Sequence, residues 1–539
     1  MVREGKTAST ETEAGQTINE TQDQPSFNLW TMPWIDLVTA RGTPVRTSVC
    51  DALGQAESYG PLPVSSASPL PAAGQLRFLI AVTQAVVQPR RVDDIVRHLE
   101  RGMFDARQLA TFAEQHAAGF EMQRWWRAAG LQKRKAGAGH IALHVPSGSN
   151  TVLFRKVADA EYCVCPACLA QLHLTLSAFA PPAGRGTDST YTTASINGRP
   201  PVYVLPVGQN LFESLSFALM VDPPGADDPP LWLRAPVAAG GETRSGPVGY
   251  LHGLTWQPRR LNVKFETGRG PCAQCGQASD WLAVELGLGQ GESPRQAGWQ
   301  DPFVAQLNRK NGESYPFALS ADGALWPHLG RLFSPAPARE GQTAPSWRRP
   351  AIVEQAAKAC WPTPVRWWCV SVSTFQARID HVTSELWPAS GTLLADPQLS
   401  AEIEGALELF RRSEALVSSV LAGAWGKSQW TAMAAGRMRL NLRADSQQAL
   451  KAFLGRLEAA PAEARAVWAE TVTRQAHRRF QDAIRSERQP LAAAADVKLH
   501  AVLQSYKDKY LDVEPERAFT QSKSRDRRPQ PGRQARAAR

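Results

Sequence analysis

The sequence predicts an α+β protein, with a large mixed α/β N-terminal domain followed by a C-terminal four-helix bundle. Before residue 395, short apolar runs are broken by proline and glycine, whereas after it apolar residues recur at helical spacing. Two Cys-x-x-Cys pairs, far apart within the first region, add a predicted zinc-knuckle site to that domain. A length of 539 residues and a hydrophobic content of 43% are sufficient for at least two domains.

Four segments are predicted along the chain. Residues 1–24 are polar and rich in Thr, Glu and Gln, and residues 517–539 contain eight Lys or Arg against one Asp, so both are expected to be disordered tails. Residues 25–395 form the mixed α/β domain, with helices expected over residues 76–87 and 92–99. Residues 396–516 form the bundle, because four amphipathic segments joined by short connections bury their apolar stripes together.

The cysteine pairs are Cys165 with Cys168 and Cys272 with Cys275, and four thiolates in two such pairs suit one tetrahedral, structural zinc ion. Cys163 lies two residues before Cys165 and is an alternative ligand. A redox-active dithiol at Cys165 and Cys168 and a set of unconnected buried thiols are alternative interpretations of the same residues. Eight cysteines are too few for a disulfide scaffold, and residues 1–25 have no apolar segment typical of a secretory signal, so a reducing cytoplasm is expected.

Net charge and apolar content limit the partners of the protein. A formal net charge of +10 favours a polyanionic partner, and basic clusters such as Arg259-Arg260 lie beside tryptophans, an arrangement that suits nucleic-acid binding. Solvated charge over a Trp-rich core is the alternative for each cluster. The longest apolar stretch, residues 78–87, is about half a membrane span, so it is predicted to be a buried helix and no membrane partner is expected.

Motifs of known catalytic or nucleotide sites are incomplete. Residues 423–428 end like a phosphate-binding loop, but Leu421 stands where the first glycine is required. The glycine-rich residues 287–291 lack the pattern of a dinucleotide fingerprint and are predicted to be a flexible loop. His140 and His144 lack the glutamate of a zinc protease, and no Gly-x-Ser-x-Gly elbow occurs. These motifs therefore provide no complete catalytic constellation.

Five blocks of the N-terminal domain carry a family resemblance. They are Ser-Phe-Asn-Leu-Trp-Thr-Met-Pro-Trp-Ile at 26–35, Gly-Tyr-Leu-His-Gly-Leu-Thr-Trp-Gln-Pro at 249–258, Cys-Ala-Gln-Cys-Gly-Gln at 272–277, Ala-Pro-Ser-Trp at 344–347 and Phe-Gln-Ala-Arg-Ile at 375–379. In this order they resemble the CasA family, the large subunit of the type I-E CRISPR Cascade complex. In that resemblance, residues 249–258 correspond to a strand and residues 272–277 to the second zinc knuckle.

The resemblance implies a non-catalytic subunit of a crRNA-guided complex. Such a subunit recognises the protospacer-adjacent motif in double-stranded DNA, starts unwinding and recruits a trans-acting nuclease-helicase, while the guide RNA reads the remaining sequence. The implied partners are crRNA, the other Cascade subunits, the DNA target and that nuclease-helicase.

The resemblance also places a DNA wedge at Gln376. The family inserts a glutamine-tipped hairpin beneath the motif, and Gln376 stands in the matching position, preceded by Phe375 where better-known members have a polar residue. An amide beside an aromatic ring can replace a base in the stack, at a cost of a few kcal/mol per opened step. A strand residue in the core is the alternative for Gln376.

Three further sets of contact residues follow from the resemblance. Gly184, Arg185 and Gly186 align with a glycine-rich loop that lies along the minor groove, and a plain solvent loop is the alternative. Arg295 is the nearest substitute for a groove-contacting lysine that this chain lacks. Asn150 and Phe154 lie in the segment that matches a loop reaching the 5′ handle of the crRNA and the adjoining subunit, and Phe154 as a core residue is the alternative.

A basic stripe on the third bundle helix is expected to guide DNA phosphates. It consists of Arg474, Arg478 and Arg479. Two functions of other classes compete with the CRISPR subunit. One is a stand-alone zinc-knuckle nucleic-acid-binding protein, which binds DNA without partners, and the other is a thiol oxidoreductase using Cys165 and Cys168, which holds no stoichiometric zinc.

Overall fold

In the computed structural model of the chain, the described residues up to 395 form helices and small sheets, and four long helices follow. The structure describes residues 24–65, 67–128, 137–145, 162–181, 194–223, 228–238, 241–244, 247–268, 270–294, 299–309, 312–319, 324–336, 345–359, 361, 365–375, 378–485, 487 and 489–512. In these residues the helices of the first region are α1 (Val49–Gly54), α2 (Pro69–Val87), α3 (Val92–Arg101), α4 (Ala106–His116), α5 (Gln123–Trp126), α6 (Pro166–Phe179), α7 (Leu211–Phe217), α8 (Tyr250–Leu254), α9 (Gly330–Phe333), α10 (Ala351–Ala359) and α11 (Gly391–Ala395). The bundle helices are α12 (Pro397–Trp425), α13 (Gln429–Arg456), α14 (Pro461–Ile484) and α15 (Gln489–Asp512).

Small antiparallel sheets dominate the strands of the first region. The strands are β1 (Ile35–Val38), β2 (Pro44–Thr47), β3 (Tyr203–Val207), β4 (Glu242–Arg244), β5 (Arg259–Thr267), β6 (Trp281–Gln290), β7 (Glu292–Pro294), β8 (Gln306–Asn308), β9 (Ser314–Pro316), β10 (Trp347–Arg348), β11 (Arg366–Phe375) and β12 (Arg378–Pro388). β1 pairs with β2 and β5 with β6, while β11 lies between β12 and β3, and β8 between β10 and β9. The short pair of β4 and β7 is parallel.

Helix α2 forms the centre of the N-terminal domain and packs against α6, all of whose residues are buried. α2 begins with a proline, and the Ser68 hydroxyl accepts a hydrogen bond from the Leu70 N–H, two features that favour a helix start. The two helices approach closely at Gly74, because a Cβ there would lie 2.8 Å from Thr175 Oγ1. α2 is long and apolar enough to cross a bilayer, but 83% of that stretch is buried within the protein. The prediction of a buried helix over residues 78–87 is confirmed.

The three-stranded sheet positions the hairpin of β11 and β12. The paired residues run from Arg366 opposite Pro388 to Phe375 opposite Arg378, with one irregularity between Ser373 and Thr374. On its other edge β11 pairs with β3, so the hairpin is held by the buried core strand β3. The Trp367 indole N–H donates to the Ala389 carbonyl over 2.7 Å, which fixes the base of the hairpin.

Two local predictions in this region are wrong. Residues 287–291, predicted as a loop, lie almost entirely in β6, where Leu286 and Leu288 are buried and Gly287 pairs with Asn262. Residues 249–258, matched to a strand, contain helix α8 instead, and its last turn is closed by the Thr255 N–H, which donates to the carbonyls of Leu251 and His252. In the first case, pairing with β5 and burial of residues 286–289 form a strand. In the second case, the local hydrogen bonds of one helical turn form a helix.

The four bundle helices confirm the predicted C-terminal architecture. Aspartate and serine caps begin the first two helices: Asp396 accepts from the N–H groups of α12, and Ser428 accepts from the Thr431 N–H of α13. The buried residues of the stripes include Phe410, Leu450 and Trp468. Residues 423–428, which resemble part of a phosphate loop, lie at the connection between α12 and α13.

The bundle shares a continuous apolar core with the N-terminal domain. Trp326, from the first region, packs edge-on against Phe410 of α12 at a ring-centroid distance of 4.2 Å. The same indole donates to the Arg443 carbonyl of α13 over 3.2 Å. The fold is therefore a mixed α/β domain joined tightly to a helical bundle, as the fold class predicts.

Candidate metal centre and nucleic-acid surface

Two turns bring the four predicted cysteines together. Cys165 caps the N-terminus of α6, and Cys168 lies in the first turn of that helix. Cys272 and Cys275 lie between β5 and β6. The four Sγ atoms all lie within 4.8 Å of one another, and those of Cys165 and Cys275 are 4.0 Å apart. Among the described residues, this is the cluster that can hold a metal ion.

The sulfur geometry fits tetrahedral zinc. Zn–S bonds of about 2.3 Å place the four sulfurs of a tetrahedral site about 3.8 Å apart. Three of the cysteines are buried and Cys275 is partly buried. The four sulfurs would occupy all four positions of a tetrahedral ion, as protein ligands do in structural zinc sites. Such a centre joins two distant segments of the chain.

Backbone hydrogen bonds hold the two cysteine turns side by side. Val164 and Ala283 exchange N–H to carbonyl bonds of 3.3 and 2.8 Å, and the Cys165 N–H lies 3.3 Å from Cys272 Sγ. Cys163 contributes its carbonyl, which accepts from the Ala273 N–H over 2.8 Å, and its sulfur is not part of the cluster. The alternative that Cys163 replaces a ligand is therefore wrong, as is the interpretation of the four thiols as unconnected.

The thiols perturb one another strongly. Hydrogen bonds with Cys165, Cys272 and Cys275 raise the pKa of Cys168. The hydrogen bond from Cys168 lowers the pKa of Cys275 to about 6, and hydrogen bonds from the Gln277 N–H and from an arginine guanidinium add to this effect. Within the cluster, these hydrogen bonds favour the thiol form at Cys168 and the thiolate form at Cys275. A divalent metal bound there would displace the remaining thiol protons.

The arginine beside the cluster is Arg46, which sequence analysis missed. Its Nη1 atom lies 3.6 Å from Cys275 Sγ, and its Nη2 atom lies 3.8 Å from Cys168 Sγ. Arg46 belongs to β2, more than a hundred residues before the first knuckle, and no spacing rule connects an isolated arginine with a distant cysteine pair. The one sequence signal near Arg46 is the block at residues 26–35, which resembles the family and precedes it.

The β11 and β12 hairpin flanks the predicted wedge residue in sequence. Gln376 lies outside the described residues, while Phe375 is the last residue of β11 and Arg378 the first of β12. On the opposite end, the Lys451 ammonium of α13 lies 5.2 Å from the centroid of the Trp387 ring. The hairpin is thus attached to both the N-terminal domain and the bundle.

Six of the other predicted contact residues lie outside the described residues. They are Gly184, Arg185, Gly186, Arg295, Asn150 and Phe154. The chain on both sides of the glycine-containing segment is fixed, since the Ser195 N–H donates to the Ala180 carbonyl over 2.9 Å. An Nη atom of Arg259 also donates to the Pro181 carbonyl over 3.1 Å.

The doublet Arg259-Arg260 does not form a surface for nucleic acid. Both side chains are buried, and Arg259 donates to the carbonyls of Pro258 and Pro181. The expectation of an exposed basic cluster is wrong at these two positions, because the strand β5 places them against the interior.

The three arginines of the basic stripe lie on α14 but have different partners. Arg479 forms hydrogen bonds of 2.6 and 2.8 Å to the two carboxylate oxygens of Asp445 on α13. Arg474 is exposed, and its contact with Glu470 is 3.9 Å long. Arg478 is exposed and forms no ion pair with any described residue. Arg474 and Arg478 therefore remain the candidates for phosphate contacts.

A family model matches most of the chain. Residues 28–479 match the family described as CRISPR-associated protein Cse1. The chain belongs to the Cse1 family. A curated relative, the CRISPR-associated protein CasA/Cse1 of Thermus thermophilus, is 27% identical over 333 residues, which cover 58% of this chain and 61% of the relative. Family membership confirms the resemblance stated from the five sequence blocks.

Solved structures of Cse1 proteins share this fold. The Thermobifida fusca Cse1 structure superposes with a TM-score of 0.72 at 20% identity, covering 90% of this chain and 99% of that one. A chain of a CRISPR RNA-guided surveillance complex gives a TM-score of 0.69 at 16% identity, covering 89% of this chain and all of that one. At these identities the likeness establishes the fold, and the mixed α/β domain with its C-terminal helices is the Cse1 architecture.

Proposed function

We propose that this chain is the non-catalytic large subunit of a cytoplasmic type I-E crRNA-guided surveillance complex. In this role it recognises the protospacer-adjacent motif in double-stranded DNA, initiates unwinding and recruits the nuclease-helicase. Its partners are crRNA, the other Cascade subunits and the DNA target. Family membership over residues 28–479 and the likeness to a chain of an RNA-guided surveillance complex support the proposal.

The observation that carries the proposal is the ladder of β11 and β12. Pairing continues to Phe375 opposite Arg378, so the chain ends that flank Gln376 lie side by side. A wedge must transmit force to the duplex, and this requires a rigid base. The hairpin has such a base, because β11 pairs with β3 and Trp387 lies beneath Lys451 of the bundle.

The other predicted nucleic-acid contacts would hold the DNA and the crRNA beside the wedge. Gly184, Arg185 and Gly186 would read the minor groove, with Arg295 as an additional groove cation. Asn150 and Phe154 would contact the 5′ handle of the crRNA or the adjoining subunit. Arg474 and Arg478 would position DNA phosphates without reading sequence.

The four cysteines would hold a structural zinc ion in this subunit. Cys165 and Cys168 at the start of α6 and Cys272 and Cys275 before β6 would be joined through it, in a structural and not a chemical role. Closing the long chain segment between the knuckles favours the folded state. The scaffold that carries the DNA contacts is thereby stabilised.

Unwinding by the assembled complex tests the proposal. The complex is reconstituted with crRNA, the remaining subunits and a matching DNA duplex, and base-pair opening is followed by permanganate reactivity of thymines. Gln376→Ala combined with Phe375→Ala should lower the rate of opening at least tenfold, because the wedge no longer replaces a base in the stack. His381→Ala is the matched control, since His381 is an exposed residue of the same hairpin that pairs with Ser373 and lies outside the replaced pair of residues.

Two results would contradict the proposal. Opening at the wild-type rate in the double variant would remove the wedge assignment. Failure of the wild-type chain to copurify with crRNA, together with DNA binding by the isolated chain, would favour the stand-alone nucleic-acid-binding protein.

A further inference from the structure

The guanidinium of Arg46 lies against three of the four cysteine sulfurs. Besides its contacts with Cys275 and Cys168, its Nη1 atom lies 4.0 Å from Cys165 Sγ. Arg46 and Asp36 are opposite residues of the β1 and β2 hairpin, and neither belongs to a knuckle. The hairpin therefore places one cation beside the sulfur cluster.

Asp36 orients this cation. Arg46 donates from Nε to Asp36 Oδ1 over 2.6 Å and from Nη2 to Asp36 Oδ2 over 3.1 Å, so one edge of the guanidinium is held in a two-point contact. The Nη1 atom is then directed at Cys275. With 23% of the Arg46 side chain and 26% of the Asp36 side chain exposed, the pair lies between the cluster and solvent.

A glutamine network connects the ion pair to both knuckles. Gln171, on the same helix as Cys168, donates to Asp36 Oδ2 over 2.8 Å and to the Trp34 carbonyl over 2.7 Å. Gln274, between Cys272 and Cys275 in sequence, donates to Gln171 Oε1 over 3.1 Å. The hairpin, α6 and the second knuckle are thus joined by side chains that are not themselves sulfur donors.

The charge of the site explains why a cation is useful there. Four thiolates around a divalent ion have a net charge of −2, and partial burial makes this charge unfavourable. N–H donors to the sulfurs reduce that penalty and orient the ligands, as outer-shell groups do in other metal sites. We propose that Arg46 is an outer-sphere positioning residue for the thiolate-bound metal, held in place by Asp36 and Gln171. This inference rests on the zinc centre proposed above.

The rate of zinc release tests this role. The purified full chain is loaded with zinc, and release to the chromogenic chelator 4-(2-pyridylazo)resorcinol is followed by absorbance. Arg46→Met should release zinc at least tenfold faster than wild type, because removal of an outer-shell partner typically costs tenfold to a hundredfold in metal affinity. Asp36→Asn, which keeps the arginine but weakens its orientation, should show a smaller increase.

Two further variants show whether zinc release depends on the charge of Arg46, on the shape of its guanidinium or on general destabilisation of the protein. Arg46→Lys keeps the positive charge without the planar fork and should fall between wild type and Arg46→Met. Arg366→Met is the matched control, since Arg366 is a partly buried strand arginine that donates to the Gly208 carbonyl and is hydrogen-bonded to no cysteine of the described part of the chain. Its release rate should equal that of wild type.

Cobalt spectra distinguish the possible failures. Cobalt bound by four sulfurs gives intense charge-transfer and tetrahedral ligand-field bands, and in Arg46→Met the charge-transfer bands should shift while the tetrahedral bands persist. Wild-type protein without stoichiometric zinc would overturn the metal proposal and, with it, the role of Arg46. Stoichiometric zinc in wild type, with release from Arg46→Met and Asp36→Asn no faster than from Arg366→Met, would overturn the role of Arg46 alone.

Discussion

The tertiary structure brings the four cysteines of the N-terminal domain together, whereas it gives the arginines of α14 different surroundings. The four cysteines, drawn from two distant segments, converge within 4.8 Å. The three arginines share one helix but diverge in their partners, since Arg479 is held by Asp445 while Arg478 is exposed. Spaced cysteine pairs predict a joint site because four thiolates in two such pairs suit one tetrahedral ion. Helical spacing of charge predicts a shared helix face and not the partners of each side chain.

The largest effect is expected from removal of the first knuckle. Cys165→Ser combined with Cys168→Ser should abolish stoichiometric metal binding and lower the free energy of unfolding by about 4 kcal/mol or more. Metal analysis and urea unfolding of the purified chain measure both effects. Cys50→Ser is the control, because Cys50 is exposed and lies outside the cluster. An unchanged unfolding midpoint in the double variant would show that the cysteines do not stabilise the domain.

Acid should destabilise the N-terminal domain through its buried histidines. Burial lowers the pKa of His98 and of His173 to about 4, and the nearby charge of Arg101 adds to the effect at His98. The unfolded chain therefore binds more protons between the ordinary histidine pKa of about 6.5 and pH 4, so stability falls as the pH is lowered through this range. His98 alone should account for roughly 3 kcal/mol between pH 7 and pH 4.

Urea unfolding at a series of pH values checks this prediction. Replacement of His98 by Leu should make the stability of the protein less dependent on pH between 6.5 and 4. An equal pH dependence in wild type and variant would contradict the assigned contribution of His98.

A smaller effect is expected at Arg479. Arg479→Ala removes the ion pair between α14 and α13 and should lower the free energy of unfolding by about 1 kcal/mol, since both side chains are partly exposed. Thermal unfolding of the variant measures this change. Asp445→Asn should reproduce it, and the two changes together should cost less than their sum if the residues act as a pair.

The smallest effect on stability, and a clear effect on DNA binding, is expected at Arg478. Arg478→Ala should change the free energy of unfolding by less than about 0.5 kcal/mol. If it contacts a phosphate, it should weaken DNA binding uniformly across sequences and reduce the slope of log K against log salt by about 1. Binding of the assembled complex to DNA at several salt concentrations checks this, and an unchanged slope would place the phosphates elsewhere.

Sequence analysis predicts the parts of the molecule that depend on local spacing. The knuckles, the buried helix over residues 78–87 and the four-helix bundle follow from motif or periodicity, and the structure confirms them. The glycine-rich composition of residues 287–291 predicted a loop, and this prediction is wrong. Pairing with β5 and burial of Leu286 and Leu288 place most of these residues in a strand.

Residues whose role depends on distant partners were not predictable. Arg46 reaches the cysteines only because β1 and β2 fold beside α6, and the doublet Arg259-Arg260 is buried only because β5 faces the interior. Arg479 has its partner 34 residues away on the preceding helix. In each case the side chain is the same, and the surrounding fold decides whether it faces solvent or a partner.

The close crossing of α2 and α6 couples the position of the cysteine cluster to the packing between these two helices. Thr175 lies two turns along α6 from Cys168, a distance of about 10 Å along the helix axis. A methyl group at Gly74 would meet the α6 backbone and push that helix outward, and the displacement would reach the sulfurs at its start. If the cluster binds zinc as proposed, metal retention would report, without any attached probe, on how well two apolar surfaces deep inside the molecule fit each other.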